Sequence, residues 1–158
     1  MATVKTIIPR YRLSLVREDT TKYGKKSNPY QLVGKPEDIA KIIYPLFKDL
    51  PHEIVIMVGF DAKNRIIGTS VIAQGSISGC VLDAAMVFKP ALLMNASSVI
   101  VAHNHPSGDP TPSPEDRRVT ERISEAGTML DTPLLDHIII GNDCCYSLMG
   151  AKKFSFSD

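Results

Sequence analysis

The sequence predicts an α/β or α+β sandwich, and three observations support that class. Short apolar runs of strand length alternate with segments of helical periodicity. Clusters of Gly, Pro, Asn and Asp separate them at short intervals. No internal repeat or low-complexity tract interrupts the alternation. Strands interleaved with helices bury their apolar faces by packing the helices onto a sheet.

Residues 6–15 read as a strand, and the polar stretch REDTTKYGKKSNPY after them carries no hydrophobic period. From Pro36 the pattern becomes regular. PEDIAKII opens with proline and two acids, which suit the first turn of a helix and its positive dipole end. Ile39, Ile42, Ile43 and Phe47 recur at helical spacing until Pro45 ends or kinks the helix. EIVIMVGF is a buried strand, Asp61-Ala62-Lys63-Asn64 a turn, and RIIGTSVIAQG a second strand, which together read as a hairpin. A helix is expected over residues 82–94, with Pro90 interrupting its pattern, then a short buried strand over 97–102. A Pro- and Gly-rich loop over 103–112 leads into a helix over 114–129. LLDHIII, residues 134–140, is a further strand, and residues 144–149 can pair with it across Gly141-Asn142-Asp143.

With 158 residues, 44% hydrophobic and 22% charged, the chain has the composition of a folded domain with a sizeable core. Two parts are visible: a basic N-terminal arm or strand extension over residues 1–35, and a domain over 36–158. The longest apolar runs fall far short of the roughly 20 residues that cross a bilayer. MATVKTIIPRYR lacks the apolar core of a signal peptide. Cys80, Cys144 and Cys145 form neither an even disulfide framework nor a C-x-x-C pair. The expectation is a cytoplasmic protein without membrane contact; a homodimer is compatible with it. The net charge of +1 hides an asymmetry: eight Lys/Arg against Glu18 and Asp19 leave +6 in residues 1–35 and −5 in the rest. Such an arm suits either a solvated hairpin or contact with nucleic acid or an acidic partner.

The chemistry concentrates in VIVAHNHPSGDPTPSPEDRR. An apolar strand ends at His103-Asn104-His105, and residues i and i+2 of a strand point to one face. Both imidazoles can therefore reach one point, as zinc sites built on neutral histidine require. Ser113 and Pro114 read as N-cap and first residue of the next helix, which puts Asp116 in its first turn as the third ligand. A capping box with Ser113 is an equally sound job for Asp116. Asp109 is an alternative ligand, although SGDP reads first as a turn. His137, next to Asp136, reads as a structural pair or as an outer support of a metal ligand. His52 is expected to face away from Glu53, and neither Cys144 nor Cys145 has a base nearby in sequence.

The full string, H-x-H-P-x6-S-x2-D, resembles the motif of the JAMM (MPN-domain) metalloproteases, and HNHPSGDPTPS is especially similar to the RadC branch. The likeness runs from about Pro36 to Gly150 and includes DAKNRIIG and LLDHIIIG. It implies a three-layer, cytidine-deaminase-like α/β fold with a mixed sheet flanked by helices. It also implies Zn2+ held by His103, His105 and Asp116, with Glu53 as general base and Ser113 beside the water or oxyanion. The activity so implied is that of a zinc metallopeptidase or isopeptidase, with a peptide or protein as substrate.

Two other classes compete. Members of the RadC branch are commonly labelled DNA-repair proteins, which suggests a factor of DNA repair or of a mobile element acting near nucleic acid. Longer members place a helix-hairpin-helix region before the metal domain, and the stretch before Pro36 is too short for one. A metal-free protein-binding module is the third reading, against which all five motif positions stand intact. Zinc deaminases need H-x-E and P-C-x-x-C, which are missing here, and the letters HNH are three consecutive residues with Asn104 turned away from the histidines.

Overall fold

In the computed structural model the described residues are 15–16, 34–48, 50–75 and 82–156. They form α1 (Pro36–Ile43), β1 (Ile54–Phe60), β2 (Ile66–Gln74), α2 (Ala84–Leu93), β3 (Ser98–Asn104), α3 (Pro114–Met129), β4 (Leu134–Ile140), β5 (Cys144–Ser147) and β6 (Lys152–Ser155). The arm over residues 1–35 and the strand expected over 6–15 lie outside the described residues, apart from 15–16 and 34–35. None of the described helices is long and apolar enough to cross a membrane.

The strands make one mixed sheet in the order β2-β1-β3-β4-β5-β6. Only β3 and β4 run parallel; the other neighbours are antiparallel. A parallel pair cannot be closed by a tight turn, and α3 supplies the crossover. Period-2 alternation in the strands gives the sheet two apolar faces. On one, Ile54, Ile56, Val58, Ile100, Ala102, Ile138 and Ile140 pack against Ile39, Ala40 and Ile43 of α1. On the other, Val55, Met57, Val99 and Val101 meet Val87, Phe88 and Ala91 of α2 and Ile123 of α3. The result is the helix–sheet–helix sandwich expected from the sequence.

Local chemistry explains most boundaries. Pro45, which has no amide proton to continue the ladder, ends α1, and the chain tightens into a 3-10 turn at Tyr44–Leu46. Asp61 organises the β1–β2 turn by accepting from the amides of Lys63 (2.9 Å) and Arg65 (3.0 Å). The helix expected over 82–94 forms as α2, which runs through Pro90 from an Asp83 N-cap to Leu93. Val87, Phe88 and Ala91 on either side of Pro90 are buried, so tertiary packing offsets the lost backbone bond. The strand expected over 97–102 extends to Asn104: His103 and Asn104 stay paired with β4 rather than opening the loop. β6 was not foreseen in the sequence; it extends the sheet as an edge strand on β5.

Gly127 lets α3 approach the segment before β4. A Cβ there would lie 2.8 Å from Thr132 O and 3.0 Å from Phe88 Cζ. Alanine is intrinsically the better helix former by about 1 kcal/mol. The close backbone oxygen should nevertheless decide the sign, because overpacking typically costs about 1–3 kcal/mol. Gly127→Ala is therefore expected to lower the urea midpoint; a raised midpoint would show that α3 has room to move.

Candidate metal centre

The carboxyl end of β3 and the amino end of α3 meet at one end of the sheet, and open α/β sheets commonly bind their ligands outside the carboxyl ends of their strands. β3 delivers His103, which is completely buried, and the residue after Asn104 is His105. α3 delivers Asp116, 1% exposed, from its first turn. His103 Nε2 lies 3.0 Å from His105 Nε2 and 3.4 Å from Asp116 Oδ1, and His105 Nε2 lies 3.6 Å from Asp116 Oδ2. All three ligand atoms fall within 4.8 Å of one another. Donors about 2.0–2.1 Å from a tetrahedral ion stand roughly 3.3 Å apart. The observed separations bracket that value, so the three residues can hold a metal ion.

The chain around them fixes each ring and carboxylate. His105 Nδ1 lies 2.8 Å from the carbonyl oxygen of Asp109. A carbonyl only accepts, so Nδ1 carries the proton and the second nitrogen faces the centre. The His105 amide donates to Ile140 O at 2.9 Å, and the Asn142 amide donates to Gly108 O at 2.9 Å, which docks the loop on the β4–β5 turn. Gly108 (φ +81) and Gly141 allow that contact; a Cβ on Gly141 would sit 2.4 Å from Gly108 O. Asp109 contributes through its backbone, because its carboxylate accepts from the amide (3.1 Å) and hydroxyl (2.8 Å) of Thr111.

Ser113 and Asp116 form a complete capping box. The Asp116 amide donates to Ser113 Oγ (3.1 Å), while Asp116 Oδ2 accepts from both the amide (2.7 Å) and the hydroxyl (2.6 Å) of Ser113. The two readings of Asp116, cap and ligand, are thus compatible, and Ser113 spends its hydroxyl proton on the ligand.

The electrostatics suit a cation. Burial works to raise the Asp116 carboxyl, but the adjacent His105 and His103 rings and the Ser113 donors hold it well below the usual carboxylate range. Burial, together with the neighbouring His137 and His105, pushes His103 well below its ordinary value, so the ring is neutral. The Asp116 carboxylate, aided by the charge of Glu53, raises His105 against the pull of burial. A proton therefore favours His105 when no metal is bound, and metal binding would displace it.

Glu53 directly precedes β1, and the register places Val55 opposite His103, so Glu53 belongs to the sheet end that carries the histidines. Asn104 holds this segment. Its Oδ1 accepts from the Ile54 amide (2.8 Å) and its Nδ2 donates to His52 O (3.1 Å), bracketing Glu53 from both sides. Asn104 does turn away from the histidines, as expected, but toward a task that sequence reading missed. His52 itself is exposed.

His137 and Asp136 do not orient one another's side chains. Asp136 accepts from Ser147 Oγ (2.5 Å) and from the amides of Met149 (3.1 Å) and His137 (2.7 Å). The His137 ring instead lies between His103 and α3: its Nε2 is 2.8 Å from His103 Nδ1 and its Nδ1 is 2.6 Å from Thr120 Oγ1. Burial lowers this imidazole to about 4. Burial pushes the Cys145 thiol up to about 12, which disfavours the thiolate that a nucleophile needs.

Known proteins share this arrangement of sequence. A UPF0758 protein of Clostridium perfringens is 39% identical over 116 residues, covering 73% of this chain and 51% of that protein. One from Methanosarcina acetivorans is 42% identical over 120 residues, 76% of this chain and 52% of the relative. A third, from Shouchella clausii, is 41% identical over 117 residues, 74% and 51% respectively. The chain thus spans about half the length of the curated relatives it matches. Residues 33–153, which include His103, His105, Asp116, Ser113 and Glu53, match the family described as the RadC-like JAB domain, and the chain belongs to that family.

Proposed function

We propose that this domain is a zinc-dependent hydrolase of the JAMM type that adds water across an amide, either a peptide or an isopeptide bond. The observation that carries the reading is the convergence of two histidine Nε2 atoms and the Asp116 carboxylate at one sheet end. Two neutral nitrogens and one carboxylate form a donor set typical of catalytic zinc, which keeps a coordination position open for water or substrate. Zinc bound there supplies a Lewis acid for the amide carbonyl and lowers the pKa of water toward 7.

The protein's own residues handle the protons. Glu53 accepts one from water as its oxygen bonds the carbonyl carbon, then delivers it to the amide nitrogen as the C–N bond breaks. Asn104, by holding residues 52 and 54, keeps the Glu53 backbone from drifting. Ser113 is the proposed donor to the oxyanion, a role in which its hydroxyl leaves Asp116 Oδ2 while its amide stays. The substrate reading is a peptide or protein, and the setting a reducing, cytoplasmic one.

Elemental analysis of purified protein tests the centre directly. We expect about one zinc per chain in the wild type, as a three-ligand site implies, and none in His103→Ala/His105→Ala. Glu53→Gln should keep its zinc yet lose about 10²–10⁴-fold in hydrolysis of a quenched fluorescent peptide or isopeptide library, the range for removal of a general base. Absence of zinc from the wild type after reconstitution at neutral pH would sink the reading. Asn104→Ala should keep zinc but cost about 1–3 kcal/mol in denaturant unfolding by stripping the buried Ile54 amide of its partner. Faster hydrogen exchange at the Ile54 amide would locate the loss, and unchanged exchange there would dismiss the clamp.

A further inference from the structure

We propose that Thr120 and His137 form a one-way hydrogen-bond chain that holds His103 with its Nε2 lone pair aimed at the metal site, making both of them positioning residues for that ligand. The inference rests on the metal-site reading above and adds two residues to it.

The direction follows from the donors and acceptors. Thr120 Oγ1 lies 2.5 Å from the carbonyl oxygen of Asp116, four residues earlier in α3. The carbonyl can only accept, so the single hydroxyl proton is spent there. A lone pair of Oγ1 then faces His137 Nδ1 at 2.6 Å, and Nδ1 must donate to it. A neutral imidazole with its proton on Nδ1 has a bare Nε2. That bare nitrogen lies 2.8 Å from His103 Nδ1, which must donate in turn. His103 is left with a bare Nε2, the atom that faces His105 and Asp116. Reversing the chain would place a proton on His103 Nε2, where a metal belongs.

All three side chains are buried: Thr120 is 5% exposed, His137 and His103 fully enclosed. Solvent therefore cannot readily replace a missing link. The chain begins on the peptide carbonyl of Asp116 and ends on His103, so one metal ligand sets the tautomer of another. Partners of this kind typically change metal affinity by about 10–100-fold when removed.

Zinc affinity of Thr120→Val and Thr120→Ser, measured by competition with a chromophoric chelator, tests the proposal alongside thermal unfolding of the metal-free proteins. Valine keeps the shape and loses the hydroxyl; it should weaken zinc binding about 10–100-fold. Serine keeps the hydroxyl and should restore affinity to near wild type. Equal affinity in wild type and valine variant, or serine as weak as valine, would overturn the chain. Imidazole nitrogen NMR of the metal-free wild type supplies a readout independent of zinc and of either variant's folding. A proton on His103 Nδ1 and His137 Nδ1 is expected, and a proton on His103 Nε2 would overturn the assignment. Failure of the wild type to bind zinc would defeat the metal reading alone, because the NMR result stands without it.

Discussion

The register of β3 against its two neighbours is the constraint on which the site depends. Val55 of β1 lies opposite His103, and His103 lies opposite Ile139 of β4. A slip by one residue would turn every side chain of β3 to the other face of the sheet. His103 would then enter the apolar layer under α1, and Asn104 would replace it beside α3. Both faces of β3 are buried, so the register is held by its polar end: a one-residue slip would press the His103 imidazole into the apolar layer under α1 without its partners. His105, the residue after β3, is tied to β4 through its amide, and the loop carbonyl of Asp109 orients its ring.

That placement carries an electrostatic cost, which the local chemistry offsets. A buried imidazole is tolerated when it is neutral and hydrogen-bonded, and a buried carboxylate when it accepts several donors. His103 meets the first condition through His137, and Asp116 the second through the Ser113 capping box. The remaining imbalance is the close approach of two histidine Nε2 atoms at 3.0 Å, where a proton or a cation must lie between them. The three groups are thus placed so that a proton or a metal ion between them could satisfy their polar atoms together.

How far the sequence revealed this depended on whether a signal was local. The span of α3, residues 114–129, was legible to the residue, because Ser113, Pro114 and Asp116 mark its start by short-range chemistry. The two histidines were equally legible, since i and i+2 spacing needs only the strand period. β6 was not: Lys152, Lys153 and Ser155 are exposed, and one half-buried Phe154 gives no alternation to detect. The role of His137 was hidden for a different reason. Its contact with His103 depends on the parallel register that pairs it with Val101, and no period within β4 encodes that. Thr120 left a trace that could have been followed. The buried face of α3 runs Asp116, Thr120, Ile123, Gly127, so polar residues occupy an apolar stripe just where the helix nears the histidines.

Asp116 shows how a helix cap and a candidate metal ligand can share a residue. Its Oδ2 already accepts two hydrogen bonds from Ser113, which uses both lone pairs of that oxygen. Oδ1, 3.4 Å from His103 Nε2, is then the oxygen with capacity for a metal. The capping box therefore does more than start the helix: it selects which carboxylate oxygen faces the centre and fixes the plane of the group. It also constrains Ser113, whose hydroxyl cannot serve Asp116 and a substrate oxyanion at once. A serine that alternates between the two would loosen the ligand as it engages the substrate, whereas the backbone amide of Ser113 holds Asp116 in either state. The helix start thus gives Asp116 two donors, and in the proposed reaction the Ser113 amide would keep the carboxylate in place when the hydroxyl turns away.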